Sequence, residues 1–263
     1  VVPGLKKDGA LLPNTARRTS QLFGIDPVVA TGCMMAERKG PIMPPELTYT
    51  PAAGHHWLTP FYDIGVAALT RERQWRNALI EQLRPTPSDV ILDVGCGTGS
   101  LLLRVGNVAP SAQLIGVDPD PAVLARAQKR LSAAGLSVVL HVGFARQVAV
   151  LLEGRRPTKI VSSLVFHQVP MAEKVAALTA MYAALAAGGE LHIADYGLQR
   201  TQIMRFLFRG IIQNLDGRVN TEPNARGVLP ELMRGAGFQN VEETAAIATP
   251  SGSISLYRGV RTR

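Results

Sequence analysis

A chain of 263 residues, 46% hydrophobic and 18% charged, describes a globular protein with a sizeable core and excludes a disordered or fibrous one. The formal charge of +8 keeps acidic partners in view, yet Lys and Arg are scattered and form no long block, which favours a solvated surface over a nucleic-acid footprint. No uncharged apolar run reaches the roughly 18 residues of a membrane span. The two cysteines, Cys33 and Cys96, and the five dispersed histidines show neither a disulfide framework nor metal-ligand spacing, so no metal is expected and a reducing, cytoplasmic setting is.

Residues 1–45 are broken by Pro3, Gly4, Pro13 and Pro27 and carry no sustained period. They read as a loosely ordered, dispensable leader, with Met34, Met35 and Met43 inside it as alternative starts. From residue 60 the chain places Ile64, Val66, Ala67, Trp75, Leu79, Ile80 and Leu83 at helical intervals, and "RPTPSD" then punctuates. Strands follow at "VILDV" (90–94), "QLIGVD" (113–118), "SVVLHV" (137–142), "KIVSSLVF" (159–166) and "ELHIADY" (190–196). Helices separate them, among them "DPAVLARAQKRLSAAG", opened by Asp120 and Pro121 and closed on Gly135, and the alanine-rich run over 171–187. Apolar strands alternating with helices predict a doubly wound, mostly parallel sheet covered on both faces, with ligands beyond the C-terminal strand ends near the switch in strand order. The last stretch reads as two strands joined at "TPSG", an antiparallel end to the sheet.

"VILDVGCGTGS" carries the strongest chemical signal, because an apolar strand ends in Asp93 and then places Gly95, Gly97 and Gly99 within five positions. A phosphate-binding loop would need GxxxxGK[ST], which is absent. A dinucleotide would need its third glycine one residue later, where Ser100 stands, and its pyrophosphate would be repelled by Asp93. S-adenosylmethionine has the opposite character: an ammonium, a sulfonium, one carboxylate and no phosphate. An acid at the strand end suits the ammonium, glycines let backbone lie against the ligand, and the helix N-terminus favours the carboxylate. Asp118, ending the next strand, can accept from both ribose hydroxyls; the other reading of it is the N-cap of the following helix.

"VILDVGCGTGS", "GVDPD", "VSSLVFHQVP" and "AAGGELHIADYG" resemble the successive motifs of class I S-adenosylmethionine-dependent methyltransferases. "FYD…WR…LI" and "AGF…TPSGSISLYRG" are similar to the ubiquinone/menaquinone-biosynthesis group, and the likeness spans roughly residues 60 to 260. The resemblance implies a Rossmann-like α/β sheet of seven strands with the last reversed, and methyl transfer. It also implies a helical N-terminal cap, so that with the unpatterned leader the chain divides into leader (1–45), helical cap (46–84) and cofactor-binding domain (85–263), the last with a lid insert at about 198–236. Matched residue by residue, Asp93, Gly95, Gly97 and Gly99 would cradle methionine and ribose, Asp118 the ribose, Ser162 and Ser163 the ammonium, and Tyr62 would close over the cofactor. One turn departs from the pattern: "GFAR" puts Phe144 where the family has an acid for the adenine amino group. Adenine would then rest on the Ala145 amide, the Phe144 ring and Gln147.

Methyl transfer from a sulfonium needs alignment and exclusion of water, and a base only for an acceptor such as a phenol or quinol. His167, beyond the fourth strand, is the first candidate for that base and Tyr196 the second, with Asp195 orienting its neighbours. The apolar segment "LQRTQIMRFLFRGIIQNLDG" (198–217) fits either a packed lid or the lining for a lipophilic or aromatic acceptor. Arg200, Arg205 and Arg209 precede its first acid, Asp216, and suggest peripheral contact with an anionic membrane. Nucleic acid is disfavoured, because an NPPY-type motif and an appended binding module are both missing. The alternatives are an RNA-modifying enzyme and a non-catalytic cofactor-binding partner protein.

Overall fold

The computed structural model describes residues 70–262. Helix α1 (Glu72–Leu83) precedes a seven-stranded sheet of order β3-β2-β1-β4-β5-β7-β6. The strands are β1 (Val90–Val94), β2 (Gln113–Asp118), β3 (Val138–Val142), β4 (Lys159–Ser163), β5 (Glu190–Tyr196), β6 (Gln239–Thr249) and β7 (Gly252–Val260). Between them lie α2 (Ser100–Val108), α3 (Pro121–Ala133), α4 (Val148–Leu151) and α5 (Met171–Ala184), and after β5 come α6 (Gln202–Asp216), α7 (Arg218–Ala225) and α8 (Leu229–Gly235).

β1 to β5 pair in parallel, whereas β7 runs antiparallel to both β5 and β6. The reversed strand and the mostly parallel doubly wound sheet are those expected from the sequence. β6 and β7 form a hairpin around Pro250 and Ser251, which a long crossover would otherwise have to replace. Alternate residues of each strand enter opposite cores. Ile91, Val161 and Ala194 face Trp75, Leu79, Leu101, Leu131 and Phe208, while Leu92, Ile160 and Ile193 face Val148, Leu178, Met181 and Met233. Both faces are therefore dry, and the backbone polar groups are satisfied within the ladder.

Strand order reverses between β1 and β4, so the ends of these two strands define the crevice. The sequence carried the fourth strand to Phe166, but the structure ends it at Ser163. Leu164 adopts φ 55°, a left-handed conformation costly for a leucine, and turns the chain so that Phe166–Gln168 forms a single 3-10 turn over the crevice. Tyr62, the leader and most of the cap fall outside the described residues; Trp75, Leu79 and Leu83 of α1 are fully buried. No helix among the described residues is long and apolar enough to cross a membrane.

Candidate active site

The β1 end is built around a buried carboxylate that has no hydrogen-bond partner among the described residues. Asp93 is 0% exposed, and neither carboxylate oxygen accepts a hydrogen bond among the described residues. Burial raises its pKa to about 7, against the pull of the Arg76 charge and with a push from Asp118. A buried ionised carboxylate without a partner costs several kcal/mol, on the order of 3 to 5. Such a group is retained where a cation completes it.

The glycine loop supplies the backbone beside it. Gly95, Gly97 and Gly99 all have positive φ, at 74°, 53° and 74°. Their surroundings differ. A Cβ on Gly95 would collide with the Val165 side chain, whereas a Cβ on Gly97 would meet nothing within 4 Å. Gly95 is thus required by packing, and Gly97 faces open space that a ligand can use. Gly99 caps α2 with no side-chain hydrogen bond, leaving the first amides of that helix for a ligand. Arg130 of α3 braces the loop from outside, donating to Thr98 O at 3.3 Å and Thr98 Oγ1 at 3.0 Å.

The capping role that was the other reading of Asp118 falls to Asp120. Asp120 caps α3, accepting from the amides of Ala122 (2.8 Å) and Val123 (3.2 Å). Asp118 instead accepts from the amide of Gly97 at 2.9 Å and that of Asp120 at 3.0 Å. The carboxylate of Asp118 is thereby fixed against the glycine loop, and each oxygen keeps a further lone pair. Burial raises its pKa, opposed by these two amides.

At the β3 end Phe144 begins the turn Ala145–Gln147, and its amide donates to Gln147 Oε1 at 2.8 Å. That bond takes one lone pair of the Gln147 oxygen and leaves the other, with the amide nitrogen, for an adenine. The Arg146 guanidinium lies 4.5 Å from the Phe144 ring centroid and pairs with Glu173 at 2.8 Å. One face of the ring is therefore covered by a cation, an arrangement with no trace in local sequence. Ser162, fully buried, donates its hydroxyl to Val94 O at 2.8 Å and ties β4 to β1. What it can still offer a ligand is backbone and a lone pair.

The β4 and β5 ends meet at a histidine held between two carboxylates. His167 Nδ1 lies 2.7 Å from Asp195 Oδ1, and its Nε2 lies 3.4 Å from Asp216 Oδ2 at the end of α6. Asp195 also accepts from the amides of Phe166 (2.6 Å) and Tyr196 (2.7 Å), which fixes the imidazole. Burial would lower the pKa of His167, but the Asp195 charge and the bonds to both acids outweigh it and raise the pKa to about 9. The raised pKa holds the ring as an imidazolium at neutral pH, donating from Nδ1 to Asp195 and facing the Asp216 carboxylate with Nε2, a poorer base in this arrangement than its residue type suggested. Lys174, fully buried on α5, donates to Phe166 O and to Asn220 O at 3.1 Å, fastening the histidine turn to α7. Tyr196 packs edge-on against His167 with centroids 5.0 Å apart, and against Phe208 at 5.2 Å. Its hydroxyl is 2.7 Å from Ser251 Oγ in the β6–β7 turn, so the sequence's second base candidate has its oxygen engaged there.

Residues 91–189 match the family described as methyltransferase domain. The chain is 27% identical over 210 residues to the demethylmenaquinone methyltransferase of Thermus thermophilus, which covers 76% of this chain and 91% of that protein. It is 24% identical over 224 residues to the ubiquinone/menaquinone biosynthesis C-methyltransferase of Syntrophotalea carbinolica, covering 78% and 91%. Among solved structures it is similar in fold to the magnesium protoporphyrin IX methyltransferase of Synechocystis, with a TM-score of 0.55, 18% identity, and 73% and 84% of the two chains covered. The matched methyltransferase domain, the methyltransferase relatives and the fold define a class I methyltransferase that uses S-adenosylmethionine. Within that class, the chain is similar to the ubiquinone/menaquinone-biosynthesis methyltransferases. The residues fit the cofactor: the orphaned Asp93 carboxylate suits its ammonium, and the space at Gly97 admits a ligand against backbone.

Proposed function

We propose that this protein methylates a small, lipophilic acceptor with an ionisable hydroxyl, a quinol or phenol, in the crevice between the β4 and β5 ends and α6. The observation that carries the reading is His167 clamped by Asp195 and Asp216 beside the Tyr196 and Phe208 rings. It unites a proton-handling group with apolar walls, the combination a quinol or phenol needs. The two quinone-pathway relatives support the same acceptor class.

In this reading Asp93, Gly95, Gly97, Gly99, Ser162 and Ser163 hold the methionine end of the cofactor, Asp118 its ribose, and Phe144 with Ala145 its adenine. The bound cofactor supplies an electrophilic methyl group on a sulfonium. The chain aligns the acceptor and keeps water out through α6 to α8, the segment 198–236, which we take as a lid. Asp195 orients the His167 ring. His167 acts in its neutral form, which is reached as pH rises towards about 9 and the ring releases its Nε2 proton to solvent; Nε2 then takes the acceptor's proton, and the Asp195 carboxylate balances the charge of the imidazolium so formed. Tyr196 forms a wall of the pocket and positions the ring by its edge.

The test is turnover with S-adenosylmethionine and a panel of quinols and phenols, followed by mass spectrometry. A product one methyl group heavier is expected for quinols or phenols with apolar substituents. Cofactor binding without methylation of any panel member would instead support a non-catalytic partner protein.

A further inference from the structure

Helix α6 serves two sides of the molecule. Inward, Phe208 and Ile212 are buried and Asp216 reaches His167. Outward, Ile203 is 73% exposed and Phe206 75% exposed, with Leu207 half-buried and Gly210 exposed on the same stripe. An outward face that should be polar is thus apolar over its first two turns. One turn further on, Arg209, Gln213 and Asn214 of the helix and Arg218 of α7 line a notch of about 290 Å³. Arg209 and Arg218 are both exposed, and neither has an acid within salt-bridge distance among the described residues. Arg200 differs from them, because Glu243 holds it at 2.6 Å. Beyond the notch Val219 is 88% exposed.

We propose that this face docks on an anionic lipid surface. Ile203, Phe206 and Val219 enter the boundary between headgroups and acyl chains, and the Arg209–Arg218 notch takes one lipid phosphate. Charge complementarity selects this occupant: the exposed apolar residues adjoin two guanidinium groups that form no salt bridge among the described residues, on a chain of net charge +8. A neutral apolar partner would offer neither guanidinium an anion, whereas a lipid phosphate offers one to both. The placement also serves the reaction, because the helix lying on the lipid is the one whose Asp216 reaches His167. A lipophilic acceptor can then pass from bilayer to site without crossing water. The proposal rests on the lipophilic-acceptor reading above.

The experiment is co-sedimentation of the full chain at low salt with two kinds of vesicle: phosphatidylcholine alone, and phosphatidylcholine with about one-third phosphatidylglycerol. Wild type should bind the anionic vesicles at least about tenfold more tightly than the neutral ones. Ile203→Ser with Phe206→Ser should weaken binding to both, and Arg209→Glu with Arg218→Glu should remove the preference for anionic vesicles. Calorimetric affinity for S-adenosylmethionine should stay unchanged in both variants. Absence of wild-type binding, or unchanged preference in the arginine variant, overturns the proposal. So does a large fall in melting temperature for the serine variant, which would mean that the face is covered by this chain's own residues 46–69. Turnover of a short-chain, water-soluble quinol separates the two levels: its methylation without vesicle binding leaves the acceptor reading intact and removes the docking.

Discussion

Replacing Asp93 with asparagine should stabilise the ligand-free protein at pH 8 while impairing its use of the cofactor. The folded protein keeps a proton on Asp93 up to about pH 7, whereas the unfolded chain releases it near 3.8. Between those values the native state binds more protons than the unfolded one, so stability falls as pH rises across the window. The contribution is fully present below pH 3.8 and lost through pH 7. About three pH units at roughly 1.4 kcal/mol each set a ceiling of about 4 kcal/mol. Burying the amide reduces the net gain to roughly 1 to 3 kcal/mol. The neighbouring Arg76 loses one counter-charge in the variant but keeps Glu72 at 2.6 Å. Urea unfolding at pH 5 and pH 8 measures the effect: the advantage of the Asp93→Asn variant over the wild type should grow with pH. Calorimetry should show cofactor affinity lowered by about 1.5 to 3 kcal/mol, the worth of a charge-assisted bond. A variant less stable than wild type at pH 8, with undiminished affinity, would refute the reasoning that this carboxylate is kept for a cation.

Asp216→Asn should lower the pKa of His167 from its present value of about 9, because one of the two acids holding its proton is removed. A rate that rises with pH as His167 deprotonates should then rise at lower pH, by on the order of one unit, and an unmoved profile would separate Asp216 from the proton transfer. In the wild type the same histidine contributes stability that is present below pH 6.5 and lost as pH passes about 9, which thermal unfolding across that range will read. Gly95→Ala should cost stability through its collision with Val165, while Gly97→Val, with nothing within 4 Å, should cost mainly cofactor affinity beyond the roughly 1 to 2 kcal/mol of its positive φ; melting temperature and calorimetry distinguish them. Phe144→Asp should tighten cofactor binding by up to about tenfold by giving the adenine amino group an acceptor, less whatever the new acid spends on Arg146. Weaker binding in Phe144→Asp with retention in Phe144→Tyr would assign the adenine to the aromatic face instead.

The sequence by itself determined the alternation of strands and helices, the glycine loop and the acids at the first two strand ends. These are local matters: β1, β2 and β5 were read to the residue because apolar runs bounded by turn residues leave one outcome. The three glycines were legible because positive φ excludes most other side chains there. The fourth strand was overrun because Leu164, an ordinary strand residue by type, stands at φ 55° and ends the strand at Ser163. Tertiary structure alone decided which partners the site residues have. Asp216 reaches His167 only because α6 folds back over β5, Arg146 covers Phe144 only because Glu173 on α5 receives it, and Arg130 reaches the loop from a different helix. Asp118 was read as the ribose acid, with a helix cap as its other reading; the capping falls to Asp120, while Asp118 accepts from the Gly97 amide at 2.9 Å. Side-chain partners far apart in the chain leave no period behind, so residue types can show what chemistry is available, and packing decides which group holds the proton.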